Sequence, residues 1–333
     1  MLISTCCSRN PFALVLTFPS GLTRSIIAVT FFIFTVLGAT ASQATSFIWT
    51  TLDHPDAADT ELYAISDSTI LGSYTDSSGG IHGTLYDGST WHTLDHPDAT
   101  AGTYLSGIAG NGNTIVGNYY IGGTSHGFSY DRSTSTWQTL DVQGATSSYI
   151  DQIDGNKMVG NYVTAAMAAN DWKGILYDGS NWTTIEYPTA ASTSVYDIDD
   201  ANIVGTYRVG SYSGGTFHGF SYDGSNWQAL NYPTATDTWI LGIDGDNIVG
   251  AYEDSSGTNH GLFYDGSTWY TLDAPGATYT DVYHIDGANM VGLYEDSSGA
   301  YHGFMVTVVP EPTTALLLGL GLVGLSMRRR CTI

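Results

Sequence analysis

The sequence predicts an all-β fold, a closed six-bladed β-propeller, between residues 45 and 309. One observation is a sixfold repeat that begins with tryptophan and continues through the patterns Ile-Val-Gly-x-Tyr and His-Gly-Phe-x-Tyr-Asp-Gly. Successive tryptophans are 42, 46, 45, 45 and 42 residues apart, a period typical of propeller blades and other solenoid-like arrays. A second observation is the lack of a sustained 3.6-residue apolar period, which argues against helical repeats. The units start near Trp49, Trp91, Trp137, Trp182, Trp227 and Trp269.

Each unit divides into four short strands, which we name a to d in chain order. In the fifth unit they are predicted at 239–243, 248–252, 260–264 and 269–272. Asp-Gly between apolar runs is a strong hairpin signal, and it separates a from b and c from d. These tight turns therefore lie at one end of the ring, and the b-c and d-a loops lie at the other. A glycine such as Gly250 recurs inside strand b, where we expect neighbouring blades to approach closely.

The two ends of the repeat region complement each other. The chain enters with a lone d strand at 47–52 and leaves with a c strand at 302–306 that has no d strand of its own. We expect the first strand to complete the last blade, which is how propellers leave only short, protected edges. An open β-solenoid is the alternative, and it would leave both ends unpaired.

The repeat region is strongly acidic and contains no cysteine. It has 31 carboxylates against four basic residues, and Cys6, Cys7 and Cys331 all lie outside it. Such a charge repels phosphate backbones and anionic lipids, so we expect no nucleic-acid partner. A disulfide or a cysteine-based metal site is excluded for this region, and the stacked repeats themselves must supply the core.

The first 41 residues have the organisation of a secretory signal peptide. Arg24 precedes an apolar run at 26–37, and small residues follow as far as Ala41. This order of a basic residue, an apolar segment and an Ala-x-Ala site predicts cleavage after Ala41 and export of the protein, with cleavage after Ala44 as an alternative.

The C-terminal end has three parts in a fixed order. Val309, Pro310, Glu311 and Pro312 come first, an uncharged segment at 313–327 follows, and Arg328, Arg329 and Arg330 come last. As a helix the uncharged segment would span about 22 Å, which is marginal for a bilayer, and the arginines are expected on the cytoplasmic side. An ordinary membrane anchor is the alternative, but it does not require the Pro-Glu-Pro motif.

This tail, residues 310–330 with its motif at 309–312, resembles the PEP-CTERM sorting signal. In that family the tail is recognised by an exosortase, a membrane protease of Gram-negative bacteria that also make exopolysaccharide. The resemblance implies an exosortase partner and a transient inner-membrane anchor through a transmembrane helix, with the propeller in the periplasm. It further implies delivery to the cell surface or the extracellular matrix, where exopolysaccharide is an expected partner.

Aromatic residues recur near the start of strand a. If strand a is innermost, period-2 counting places them around the mouth of the central channel. Aromatic faces with nearby carboxylates suit a carbohydrate, and filling of the propeller core is their alternative role. The candidate ligand-binding residues are Tyr63, Tyr104, Tyr149, Tyr196, Trp239 and Tyr283.

Aspartates and histidines also recur, at the turns and on strand c. The a-b turn aspartates are candidates for binding calcium, the one cofactor considered, and hydrogen bonding within the turn is their alternative role. They are Asp154, Asp199, Asp244 and Asp286. Histidines on five separate blades cannot all reach one metal ion, so we interpret them as structural: His82, His126, His218, His260 and His302, with Lys173 in the remaining blade.

We find no set of residues that breaks the sixfold pattern as a catalytic site would. The Gly-x-Ser-x-Gly motif at 123–127 runs into strand c, so it lacks the strand-turn-helix context of a nucleophile elbow. The repeats resemble the HAF-type extracellular repeat, with glycine in the place of alanine at Gly127, Gly219 and Gly261. We therefore expect a non-catalytic, exported binding or structural module. The alternatives are a glycan-active hydrolase or lyase and a calcium-dependent adhesion protein.

Overall fold

The structure is a computed structural model that describes residues 45–167, 171–211 and 214–310. The described residues form six four-stranded sheets, so the predicted all-β, six-bladed propeller is confirmed. The predicted signal peptide and sorting helix lie outside the described residues. The strands are β1 (Thr45–Thr51), β2 (Ala57–Ser66), β3 (Thr69–Asp76), β4 (Ile81–Tyr86), β5 (Trp91–Thr93), β6 (Thr103–Ile108), β7 (Thr114–Ile121), β8 (Thr124–Asp131), β9 (Thr136–Thr139), β10 (Ser147–Asp154), β11 (Lys157–Val163), β12 (Lys173–Tyr177), β13 (Trp182–Ile185), β14 (Ser192–Asp199), β15 (Asn202–Val209), β16 (Thr216–Tyr222), β17 (Trp227–Leu230), β18 (Asp237–Asp244), β19 (Asn247–Glu253), β20 (Asn259–Tyr264), β21 (Trp269–Leu272), β22 (Tyr279–Asp286), β23 (Asn289–Glu295) and β24 (Tyr301–Pro310).

The ring is closed by strands from the two ends of the described chain. Five sheets consist of four consecutive strands, whereas the sixth has the order β1-β24-β23-β22. The amide of Leu52, just after β1, donates a 2.8 Å hydrogen bond to the carbonyl of Gly303 in β24. The Ser46 hydroxyl also bonds the Val309 carbonyl at 3.2 Å. The first strand therefore completes the last blade, as the sequence predicted.

The core consists of apolar layers between successive blades. One cluster joins Leu71 and Leu85 of the first blade to Phe128 of the second, and all three are buried. The layer at the closing seam joins Leu62 of the first blade to Val291 of the last. Because burying one such side chain contributes about 1.5–3 kcal/mol, these layers stabilise the packing of each blade on the next.

The close contacts at the recurring glycines differ from those that the sequence predicted. A Cβ atom on Gly250 in strand b would lie 2.0 Å from the Trp239 carbonyl oxygen of the same blade, so the close approach there is within the blade. A Cβ on Gly261 in strand c would lie 2.4 Å from the Leu272 carbonyl oxygen of the same blade and 3.0 Å from a methyl carbon of Val282 in the next blade. The expectation for strand b was therefore wrong. At Gly250, strand b has no room for a side chain beside strand a, and at Gly261, strand c has none beside strand d and the next blade.

Candidate binding site

The innermost strand of every blade contains a β-bulge at the same place. Along β2, the pairing with β3 is interrupted between Leu62 and Ala64, so Tyr63 has no partner in the ladder. A bulge leaves one extra residue unpaired and re-aims its side chain. The extra residues of all six strands line one central pocket, one from each blade: Tyr63, Ser106, Asp151, Tyr196, Leu241 and Tyr283.

The six aromatic candidates all lie in this channel, at two levels of the inner strands. Tyr63, Tyr196 and Tyr283 are bulge residues, and the other three precede the bulge by two positions. The central pocket, of about 230 Å³, is lined by five of the six. Trp239 lines an adjoining pocket of about 270 Å³, together with Tyr196 and Tyr283. Their location agrees with the sequence argument, and their role in binding stays a prediction.

Tyrosines form a continuous wall along one side of the channel. The ring centroid of Tyr63 lies 5.4 Å from that of Tyr283 and 6.5 Å from that of Tyr104. The wall continues through Tyr120, whose ring is 5.6 Å from Tyr104 and whose hydroxyl bonds the Tyr149 hydroxyl at 3.1 Å. Sequence reasoning missed Tyr120, because it lies on strand b and no other blade has an aromatic residue at that position.

Carboxylate side chains lie beside the tyrosines of this wall. Asp281 accepts hydrogen bonds from the hydroxyls of Tyr279 and Tyr283, and Glu61 accepts one from the Tyr63 hydroxyl. The Asn161 amide donates to Asp151 at 2.7 Å. Desolvation raises the pKa of Asp281 to about 6 and that of Asp151 to about 7. Sequence reasoning missed these carboxylates, because they occupy inner-strand positions that other blades fill with tyrosine, tryptophan, serine or leucine.

Two polar side chains lie between this mouth and the turns of the opposite face. Gln152 and His284 line both the central pocket and a pocket among the a-b turns. The Ile65 amide donates to Nδ1 of His284 at 3.4 Å, and Nε2 lies 3.7 Å from Asp197. Burial lowers the pKa of His284 to about 4, so the imidazole is neutral at pH 7. The described channel therefore has a polar, uncharged imidazole between its two pockets.

The calcium candidates join neighbouring blades. The amide of Asp200 donates to Asp154 at 2.9 Å, and the amide of Gly245 donates to Asp199 at 2.8 Å. The same bond joins Gly287 to Asp244 at 2.6 Å, and Asp67 to Asp286 at 2.5 Å. Within the described residues, no three histidine, cysteine or acidic side chains are grouped to hold a metal ion. The calcium hypothesis stays a prediction, and a melting temperature unchanged by a chelator would contradict it.

The strand-c histidines lie away from the channel, at the outer loops. Nδ1 of His82 is 2.8 Å from Asp95, and Nε2 is 3.4 Å from Asp76. The imidazole also stacks on Tyr74, with centroids 5.1 Å apart. His126, His260 and His302 have equivalent aspartate partners. At His82, His260 and His302 a second aspartate lies in the b-c loop, so these imidazoles fasten that loop to the d-a connection, in keeping with the structural role expected from the sequence.

Comparison with solved structures shows the class of fold. An Aleuria aurantia lectin mutant in complex with Fucα1-6GlcNAc has a TM-score of 0.51 at 14% identity, over 78% of this chain and 99% of that chain. A second structure of that fungal lectin, described as a six-bladed β-propeller, has a TM-score of 0.50 at 13% identity with the same coverages. The propeller domain of the Pyrococcus furiosus Trilobed protease has a TM-score of 0.47 at 11% identity, over 77% and 85%. No curated protein matches the chain.

The C-terminal tail contains a known sorting motif. Residues 308–330 match the PEP-CTERM protein-sorting motif, which confirms the resemblance found in the sequence. The protein is thus a β-propeller with a PEP-CTERM sorting signal, and this signal implies export and a transient membrane anchor. In the part of the chain that the structure describes, we find no helix of the length and apolar character needed to cross a bilayer.

Proposed function

We propose that this exported propeller is a non-catalytic carbohydrate-binding module of the cell surface or exopolysaccharide matrix. One observation carries the proposal: inner-strand bulges bring one side chain from each of six blades to a single open pocket, where aromatic rings lie beside the carboxyl group of Asp151. Sugar rings stack on aromatic faces and hydrogen-bond to polar groups at their edges. Small-molecule sites in proteins have the same composition, mostly apolar walls with a few convergent polar groups.

The dimensions of the channel mouth suit a short stretch of a polymer. The central pocket of about 230 Å³ adjoins two pockets of about 270 Å³ each, and Tyr149, Tyr196 and Tyr283 each line more than one of the three. Trp172 adds a further aromatic face, because its ring meets that of Tyr149 edge-on at 5.2 Å. A chain of sugar units can thus extend from the centre toward the rim.

The sorting tail supports the location of this activity. An exosortase partner would hold and process the tail at the inner membrane, and the propeller would then reach the outer surface, where exopolysaccharide is the abundant polymer. The Aleuria aurantia lectin in complex with Fucα1-6GlcNAc demonstrates that a six-bladed propeller of this size is compatible with glycan binding. That likeness concerns the fold alone, and the residues of the channel mouth support the proposal for this chain.

The test is retention of the body, residues 45–309, on exopolysaccharide from the host. This fragment is one compact unit with both closing strands in place. Tyr104→Ala and Trp239→Ala are expected to weaken retention about tenfold or more. Tyr130→Ala removes an aromatic ring from an outer strand, where it packs on Trp137, and serves as the matched control.

The result distinguishes binding from catalysis. Retention without new reducing or unsaturated ends in the polymer supports a binding module, and new ends would show a glycan-active enzyme instead. Unchanged retention in both channel variants would contradict the channel mouth as the site.

A further inference from the structure

The mouth of the channel has acidic side chains, and no lysine or arginine is among its described lining residues. Asp151 lines the central pocket, Asp281 lines the adjoining pocket, and Tyr196 lies in both. The four basic side chains of the described body interact elsewhere: Arg132 with the Gly112 carbonyl, Lys157 with the Asp200 carbonyl, Lys173 with Glu186 and Arg208 with Asp171.

The carboxylates of the channel mouth have neutral hydrogen-bond donors. Asp281 is only 8% exposed and is held by tyrosine hydroxyls, Asp151 is held by the Asn161 amide, and Glu61 is held by the Tyr63 hydroxyl. A desolvated carboxylate without a cation is unfavourable, which is why the pKa values of these acids are raised. A bound cation would compensate these charges, whereas a neutral ligand would leave them uncompensated.

We propose that the channel mouth selects a sugar with a protonated amine, such as a glucosamine unit, over its neutral counterpart. This inference deepens the proposed function and rests on it, because it names the class of sugar that the same site takes. The carboxylates supply the charge that distinguishes an ammonium group from an acetamide or a hydroxyl. The body as a whole adds to this preference, because its strongly acidic field attracts cations from a distance.

The aromatic wall favours the same ligand. A cation within about 6 Å of a tyrosine centroid is attracted by the negative face of the ring. Tyr63 lies between Tyr283 and Tyr104, and its hydroxyl is bonded to Glu61, so ring faces and carboxylates belong to one contiguous surface. Stacking alone does not discriminate between charged and neutral sugars, whereas cation–π attraction and the carboxylates both favour the charged one.

The experiment compares two probes that differ only at the amine. A glucosamine tetramer and its fully N-acetylated counterpart are titrated into the body, residues 45–309, at neutral pH by calorimetry. The amine form is expected to bind about tenfold more tightly or better, with an affinity that falls as salt is raised. Asp281→Asn and Asp151→Asn are expected to weaken binding of the amine form more than binding of the acetylated tetramer, so that most of the preference is lost.

The matched control is Asp98→Asn, which removes the same charge from an exposed loop residue. It is expected to keep the preference for the amine form. If the preference came only from long-range attraction, all three variants would lower it equally. A melting temperature within a few degrees of the parent shows that each variant is folded.

Each outcome decides the inference separately from the proposed function. Equal affinity for both tetramers, or tighter binding of the acetylated one, would overturn the amine preference and leave carbohydrate binding standing. Retention on host exopolysaccharide without binding of either tetramer would also overturn the amine preference and leave carbohydrate binding standing. Failure of both tetramers and of exopolysaccharide retention would overturn both proposals.

Discussion

The carboxylate of Asp286 in the last blade accepts a 2.5 Å hydrogen bond from the backbone amide of Asp67 in the first blade. This bond crosses the seam where the ring closes, and three equivalent bonds join the third to the sixth blades in order. Each donor amide belongs to a turn residue with a positive φ angle, namely Asp67, Asp200, Gly245 or Gly287. The turn aspartates therefore set the contact between blades at one end of the ring.

We predict that Asp286→Ala lowers the free energy of unfolding by about 1–2 kcal/mol, because it leaves the Asp67 amide without its charged acceptor. Denaturant unfolding of the body measures the change. Asp246→Ala, at an exposed position of an equivalent turn, is the control and is expected to change stability by less than about 0.5 kcal/mol. Equal effects of the two substitutions would contradict the role given to Asp286.

We also predict that closure depends on the first strand. A body that starts at residue 52 lacks β1 and exposes the edge of β24, so it is expected to melt at a lower temperature and to self-associate. A peptide covering residues 45–53, added in trans, is expected to restore the melting temperature, and a scrambled peptide is not. An unchanged melting temperature on loss of β1 would contradict closure by this strand.

Asp151 makes stability depend on pH. Its pKa is raised by desolvation from 3.8 to about 7, so the folded state retains a proton that the unfolded state releases above about pH 4. Stability is therefore lost as pH rises from about 4 to about 7, and the loss is constant above that. We predict that Asp151→Asn is neutral near pH 4 and stabilising, by at most about 4 kcal/mol, above pH 7.

The measurement for this prediction is the difference in unfolding free energy between Asp151→Asn and the parent across that pH range. Asp98→Asn, at an exposed residue, is expected to show a difference close to zero at every pH. A stabilisation by Asp151→Asn that is the same at low and high pH would contradict the assignment.

The sorting motif gives a prediction for the cell. Replacing Pro310, Glu311 and Pro312 by alanine is expected to block processing, so that most of the protein stays in the inner-membrane fraction with its C-terminus intact. Fractionation and the mass of the mature C-terminus measure this. Replacing Thr313 and Thr314, just beyond the motif, is the control. Normal release of the Pro-Glu-Pro variant would contradict exosortase processing.

Much of the fold was predictable because a blade is a local unit. The spacing of the tryptophans and the Asp-Gly turns fixes four strands per repeat, and strand d of the fifth blade is Trp269–Leu272, as predicted. The unpaired first and last strands predicted the closure. Only short-range hydrogen bonding and the period of the repeat are needed for these inferences, and both are visible in one stretch of chain.

The amino-acid sequence by itself determined the blades, their number, the closing strand and the sorting tail, because each is encoded by neighbours along the chain. Tertiary structure alone decided which side chains meet at the axis. The bulges that aim Tyr63 and Asp151 into one pocket depend on strand pairing, and the amides that bond Asp199 and Asp244 come from the following blade. Such contacts arise only when six blades pack around a common axis, so no local pattern specifies them.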